Sequence, residues 1–250
     1  MRTDRAWQIW GSKDPYFAVL THDRYRAGRL GPEDRKAFFG SGRAHVDMVL
    51  RGADALTGKG LSRGSALDFG CGVGRLVIPF AEQFDAVTGI DVSRAMLDEA
   101  GANCAEAGAD NVTLLATAEF LAGDRRDYDL LHSALVFQHI RPADGERLLA
   151  SLVDRVAPGG VVAIQFMFHR PGVRMALTWL RDRLPFGHAL ARWLHGRRRE
   201  VAPMEMNPYD MNRVLVILEQ RGFDRLRMIV SRDSGIGSVF VFGHRSRDGG

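Results

Sequence analysis

Residues 65–76 read SALDFGCGVGRL, and how this stretch is read decides the fold. Ser65–Gly70 is a short apolar run ending in glycine, the pattern of a buried strand. Gly70, Gly72 and Gly74 follow at every second position. Glycines there let the backbone turn sharply and let a ligand approach where a Cβ would stand in the way. The helix expected next, Arg75–Phe84, points its partly positive N-terminus into the same space. Dinucleotide enzymes use a similar turn. Their fingerprint, however, wants a third glycine where Arg75 stands, and their first strand does not normally end in an acid. Asp68 is such an acid. A carboxylate facing the turn repels a pyrophosphate and suits a cationic ligand.

Downstream, strands and helices alternate. DAVTGID (Asp85–Asp91) reads as the second strand, and Ser93 as the N-cap of a helix running towards Gly108. Asn111–Thr117 and Tyr128–Leu135 read as two more strands. Pro142 starts a helix to Val156, Pro158-Gly159-Gly160 ends it, and Val161–Phe168 is a fifth strand. Apolar strands alternating with helices imply a parallel sheet covered on both faces, with ligands beyond the carboxyl ends of the strands. The end differs: Asn207-Pro208 caps a helix to Gln220, and Leu226–Val230 and Ser238–His244 form a hairpin that closes the sheet with an antiparallel strand. Asp91 ends the second strand, where a carboxylate can accept hydrogen bonds from both ribose hydroxyls. Two acids at successive strand ends, flanking a glycine turn, are far more specific than either alone.

With 46% hydrophobic and 26% charged residues, the 250-residue chain has the composition of one globular α/β domain. Two cysteines exclude a disulfide scaffold and a four-cysteine zinc site, and no metal site is expected. No apolar run approaches the roughly 20 residues of a membrane span, and the start lacks a signal-peptide core, so the expected location is cytoplasmic. The net charge of +4 comes from an arginine excess around Arg181–Arg199; without a zinc-finger or RNA-binding motif, nucleic acid is a disfavoured partner.

The motifs ALDFGCGVGRL (Ala66–Leu76), GIDVS (Gly89–Ser93) and APGG (Ala157–Gly160) resemble those of the class I S-adenosylmethionine-dependent methyltransferases. The resemblance runs from about Phe38 to His244. It implies a doubly wound, Rossmann-like, seven-stranded sheet, mostly parallel with its last strand antiparallel, and a single domain over residues 1–250. It also implies S-adenosyl-L-methionine as cofactor and S-adenosyl-L-homocysteine as product. By the same resemblance, Asp68, Gly70 and Gly72 line the methionine part of the cofactor. Asp91 holds the ribose with Val92 against the adenine, Ala118 and Glu119 edge the adenine, and Ser133 offers backbone contact near the methionine amine. Many relatives carry an aspartate where Thr117 stands. Phe38–Val46 reads as a helix approaching the pocket, from which Arg43 could pair with the cofactor carboxylate or simply face solvent.

Methyl transfer needs chiefly an aligned nucleophile and a dry site, with a base only if the acceptor must lose a proton. His139, just after the fourth strand, is the candidate base; bracing of its loop is the alternative. His132 reads as a core histidine, and His45 and His169 have weaker claims. Residues 1–57 form a helical cap in which Tyr16 and Phe17 could cover the pocket. Residues 171–206 read as an amphipathic, basic helical lid, with a dimer surface, a membrane-surface contact or a carrier-protein contact as alternatives. The expected acceptor is a small molecule, with oxygen favoured over nitrogen, in secondary or lipid metabolism. A nucleic-acid or carrier-bound substrate, or a noncatalytic cofactor-binding module, stands as the alternative.

Overall fold

The computed structural model describes residues 2–58, 60–123, 126–170, 204–233 and 235–246. The expected lid over residues 171–206 therefore lies outside the described residues, apart from its last three. Seven strands form one sheet: β1 (Ser65–Phe69), β2 (Ala86–Asp91), β3 (Val112–Ala116), β4 (Tyr128–Ser133), β5 (Val156–His169), β6 (Phe223–Asp233) and β7 (Ile236–Arg245). Their order is β3-β2-β1-β4-β5-β7-β6. β1 to β5 are parallel, and β7 runs antiparallel between β5 and β6. The strand order reverses between β1 and β4, so the crevice for a ligand opens beyond their carboxyl ends.

Side-chain alternation assigns the two layers. Leu67, Phe69, Val162 and Ile164 face α6 (Thr117–Gly123), α7 (Pro142–Val153) and α8 (Met211–Glu219). Ala66, Leu130, Val161, Ala163, Phe240 and Phe242 face α3 (Pro32–Thr57), α4 (Val77–Ala81) and α5 (Arg94–Glu106). Both faces are covered, as the uninterrupted apolar strands require.

Several boundaries move. The third strand stops at Ala116 because α6 begins at Thr117, where the Glu119 carboxylate folds back onto the Ala116 N–H (3.0 Å). Ala157–Gly160 lies inside β5, beside a register irregularity opposite Tyr128 and Leu130, and does not merely end a helix. The last helix starts at Met211, where Asp210 caps it by accepting from the Asn212 N–H (2.9 Å). The helix after the glycine turn has only one regular turn, α4.

The N-terminal cap comprises α1 (Arg2–Lys13), α2 (Pro15–Val19) and the start of α3, packed around Trp10, Tyr16, Phe17, Tyr25 and Phe38 with Val73 and Met96. Tyr16 and Phe17 thus form the cap's own core and do not roof the pocket. The Tyr16 hydroxyl lies 2.7 Å from Glu99 and 3.0 Å from Asn103, tying the cap to α5; burial and the Glu99 contact raise its pKa to about 12. On α3, a Cβ at Gly42 would sit 2.2 Å from the Arg75 carbonyl oxygen. Helix propensity alone favours Ala there by about 1 kcal/mol, whereas overpacking against backbone opposes it by about 1–3 kcal/mol. Gly42→Ala is therefore expected to destabilise the fold in urea unfolding; a rise in midpoint would show that α3 does not press on the glycine turn as described.

Candidate functional site

The glycine turn sits where the sequence puts it. Gly70 and Gly72 adopt φ of 80° and 53°, in the left-handed region that only glycine enters freely. Gly70 has a second reason to be glycine, since a Cβ would lie 2.2 Å from Val136 Cγ2. The turn forms one wall of a pocket that also takes in Asp68, Arg75, Asp91, Val92, Thr117 and the segment from Ala134 to Val136. Trp7, Ala18 and Val19 of the cap close the other side, with His139 and Ile140 beside them. The pocket is open on one side, and its mostly apolar lining with a few convergent polar groups suits a small-molecule ligand.

Asp91 is held from both sides. Its Oδ2 accepts from the Gly72 N–H (3.0 Å) and its Oδ1 from the Ser93 N–H (2.8 Å). Burial nevertheless raises its pKa to about 6, against the pull of these amides. Each oxygen keeps a further lone pair for a ligand hydroxyl.

At the other end stand two buried side chains of opposite charge. Asp68 is 2% exposed and Arg75 6%. Asp68 Oδ2 and Arg75 Nε have no hydrogen-bond partner among the described residues. Leaving such atoms unpaired is costly in a closed interior, so both call for a ligand. Burial lowers the Arg75 pKa, while Asp68 and Tyr25 oppose the shift. A carboxylate and a guanidinium in one pocket complement a zwitterion such as an amino-acid group. Thr117 Oγ1 is likewise buried without a partner.

Other expected site residues lie elsewhere. Arg43 is exposed and forms a bidentate pair with Glu82, so it is not brought to the pocket. α3 turns it outward, and Arg75 is the buried arginine of the site. Ser133 is fully buried and donates to the Phe69 carbonyl (2.9 Å), tying β4 to β1; the pocket wall begins one residue later. Glu119 points outward to Arg94 (2.7 Å), and Ala118 is exposed, leaving Thr117 as the lining residue of that turn.

Sequence reading also missed Trp7 and Leu135. Leu135 takes φ of 62°, a strained conformation for a leucine, with its N–H donating to Gln165 Oε1 (3.2 Å). No local sequence signal marks that strain, because the restraint comes from β5. His139 lies in a 3₁₀ turn (Phe137–His139), buried, with Trp7 edge-on at 4.9 Å. Its Nδ1 is 2.6 Å from the Glu205 carbonyl oxygen, which only an N–H can satisfy. The proton therefore sits on Nδ1 and Nε2 is an acceptor, which the Gln138 amide approaches at 3.2 Å. Burial lowers the His139 pKa below its ordinary value, with the Glu205 carbonyl opposing.

Comparison with known proteins agrees with this arrangement. A family model described as a methyltransferase domain matches residues 66–160. The chain is 36% identical over 105 residues to a trans-aconitate 2-methyltransferase of Deinococcus radiodurans, covering 40% of this chain and 36% of that protein. It is 36% identical over 123 residues to a malonyl-[acyl-carrier protein] O-methyltransferase of Salmonella typhimurium, covering 48% and 46%. The chain thus spans less than half the length of these two relatives. Among solved structures, it superposes on a magnesium protoporphyrin IX methyltransferase of Synechocystis with bound SAH at a TM-score of 0.61. There the identity is 22% and the coverage 93% of this chain and 98% of the other, a likeness of fold.

Proposed function

We propose that this chain is a class I S-adenosylmethionine-dependent methyltransferase, which binds S-adenosylmethionine in this pocket and transfers its methyl group to a hydroxyl of a small acceptor; the methyltransferase-domain match over residues 66–160 supports the reading. One observation carries the reading. The pocket sets an unpartnered carboxylate oxygen (Asp68) and an unpartnered guanidinium nitrogen (Arg75) at one end, and a two-oxygen carboxylate cradle (Asp91) on the neighbouring strand end. That donor set fits an amino-acid group joined to a ribose. Asp68 takes the ammonium, Arg75 the carboxylate, Asp91 the ribose hydroxyls, and Val92 and Thr117 the base.

When bound, the cofactor supplies a methyl group already activated by its sulfonium charge. The chain's own part is to align the acceptor, exclude water and accept a proton; alignment alone can be worth about 7–11 kcal/mol. His139 is the base. Its neutral form is the one favoured by burial, its Nδ1–H is fixed on Glu205, and the residue lines the pocket. The Gln138 amide occupies that lone pair until an acceptor hydroxyl displaces it. Phenol-like hydroxyls are favoured over amines because they must shed a proton during attack. Trp7, Val19 and Ile140 give the acceptor an apolar wall.

Incubating the protein with S-adenosylmethionine and a panel of phenols, carboxylic acids, amines and an acyl-carrier conjugate tests the reading through S-adenosylhomocysteine release and, in parallel, cofactor binding. Turnover with phenols supports it. Turnover with amines alone, or with an acyl-carrier conjugate alone, assigns a different acceptor, and binding without turnover on any of them leaves a cofactor-binding module.

A further inference from the structure

Asp68 and His132 are register partners on β1 and β4, so their side chains stand side by side on the α3 face of the sheet. His132 is fully buried, and its Nδ1 lies 2.7 Å from Asp68 Oδ1. Its Nε2 lies 3.0 Å from Nε2 of His45, which α3 lowers onto the same face. Rings close around this chain of groups: Phe240 stacks on His132 at 5.9 Å and meets His45 at 5.6 Å, and Phe80 packs on His132 at 5.2 Å. An ordinary core position next to a strand-end acid would be aliphatic. Two histidines buried in an aromatic box, joined end to end and ending on a pocket carboxylate, need another reason.

The proton positions follow from the geometry. Burial, then His132 and Arg75, drive the His45 pKa down to about 2, so its ring is neutral. A hydrogen must lie between the two Nε2 atoms, and another between His132 Nδ1 and the carboxylate. The consequence falls on Asp68: with Oδ1 engaged, its carboxylate cannot rotate, and Oδ2 is the atom left without a partner. Arg75, the nearby cation, bonds Ser41 Oγ (3.3 Å) through Nη1, and no ion pair with Asp68 forms.

We propose that His45 and His132 are positioning residues that hold the Asp68 carboxylate oriented, with Oδ2 presented to the ammonium of the ligand's amino-acid group. This rests on the cofactor reading given above. It makes the amino-acid end of the ligand, and not its adenosine end, depend on two residues that touch no ligand.

The test compares two ligands by calorimetry. S-adenosylhomocysteine carries the amino-acid group, whereas 5′-methylthioadenosine keeps the adenosine and lacks it. His132→Leu should weaken S-adenosylhomocysteine roughly 10- to 100-fold, the scale of one hydrogen bond to a charged group. Binding of 5′-methylthioadenosine should change by less than about threefold. His132→Asn, whose amide can take the place of Nδ1–H, should recover most of the loss. A merely structural histidine would weaken both ligands together, and that result, or no change in either, overturns the inference. Should His132→Leu not fold, His45→Phe is read by the same ratio, with a smaller preferential loss of S-adenosylhomocysteine expected and an unchanged ratio counting against the proposal. If the unaltered protein binds 5′-methylthioadenosine but not S-adenosylhomocysteine, this inference falls and the nucleoside site stands. If it binds neither, the cofactor reading itself has failed.

Discussion

Asp91→Ala is expected to weaken S-adenosylhomocysteine binding by about 3–6 kcal/mol, the loss of two hydrogen bonds to a charged group, or roughly 10²–10⁴-fold. Truncation removes both carboxylate oxygens proposed to hold the ribose and leaves the Gly72 and Ser93 amides without their acceptor. The loss should not come from unfolding. Asp91 has a folded pKa of about 6, above the ordinary carboxylate value of 3.8, because burial disfavours its charge. Its stabilising contribution is therefore present below about pH 3.8 and is lost as the pH rises through about 6, so at pH 7.5 the fold already carries the charge at a disadvantage. The same shift gives ligand binding a pH dependence: affinity for the unaltered protein should be level above about pH 6 and fall below it, as the carboxylate takes up a proton. Calorimetry between pH 5 and 8 reads both effects. An Asp91→Ala protein with unchanged affinity would remove Asp91 from the ligand site.

His139→Ala is expected to lower turnover roughly 10²–10⁴-fold, the usual range for a positioned base, while leaving S-adenosylhomocysteine affinity within a few-fold. The pH profile carries the distinction between base and brace. With the His139 pKa below its ordinary 6.5, the rate should rise along a limb that ends below pH 6.5 and stay flat through neutrality. In the variant that limb should vanish. The contacts with Glu205 and Trp7 could also make this ring a brace for its loop. A variant that loses thermal stability and rate in proportion, with an unchanged pH profile, would assign it that role alone.

The fold was legible because its signals are local. The glycine turn after a short apolar strand, acids at two successive strand ends and a terminal pair of strands each leave a pattern within a dozen residues, and all seven strands follow. Boundaries were less legible where tertiary contacts override propensity. Thr117 leaves its strand for α6, and Ala157–Gly160 joins β5 although it reads as a helix end. In the site, Asp68, Gly70, Gly72, Asp91, Val92 and His139 line one pocket. Arg43 and Arg75 show the limit of such reading. Both are arginines near the turn, and only the packing of Gly42 on the Arg75 backbone shows which is buried in the pocket and which is left to Glu82 outside. The His45–His132–Asp68 chain was invisible for a similar reason, since 87 positions separate the two histidines, which meet only because α3 packs on the sheet, and 64 separate His132 from Asp68, which the β1–β4 register pairs.

The central claim, that this pocket is built for an amino-acid group joined to a nucleoside, is tested most directly by titrating the unaltered protein with S-adenosylhomocysteine and, separately, with NADH. The Asp68–Arg75 pair and the Asp91 cradle predict saturable one-to-one binding of S-adenosylhomocysteine and none of NADH, whose pyrophosphate would meet the Asp68 carboxylate. Binding of NADH with no binding of S-adenosylhomocysteine would contradict the account.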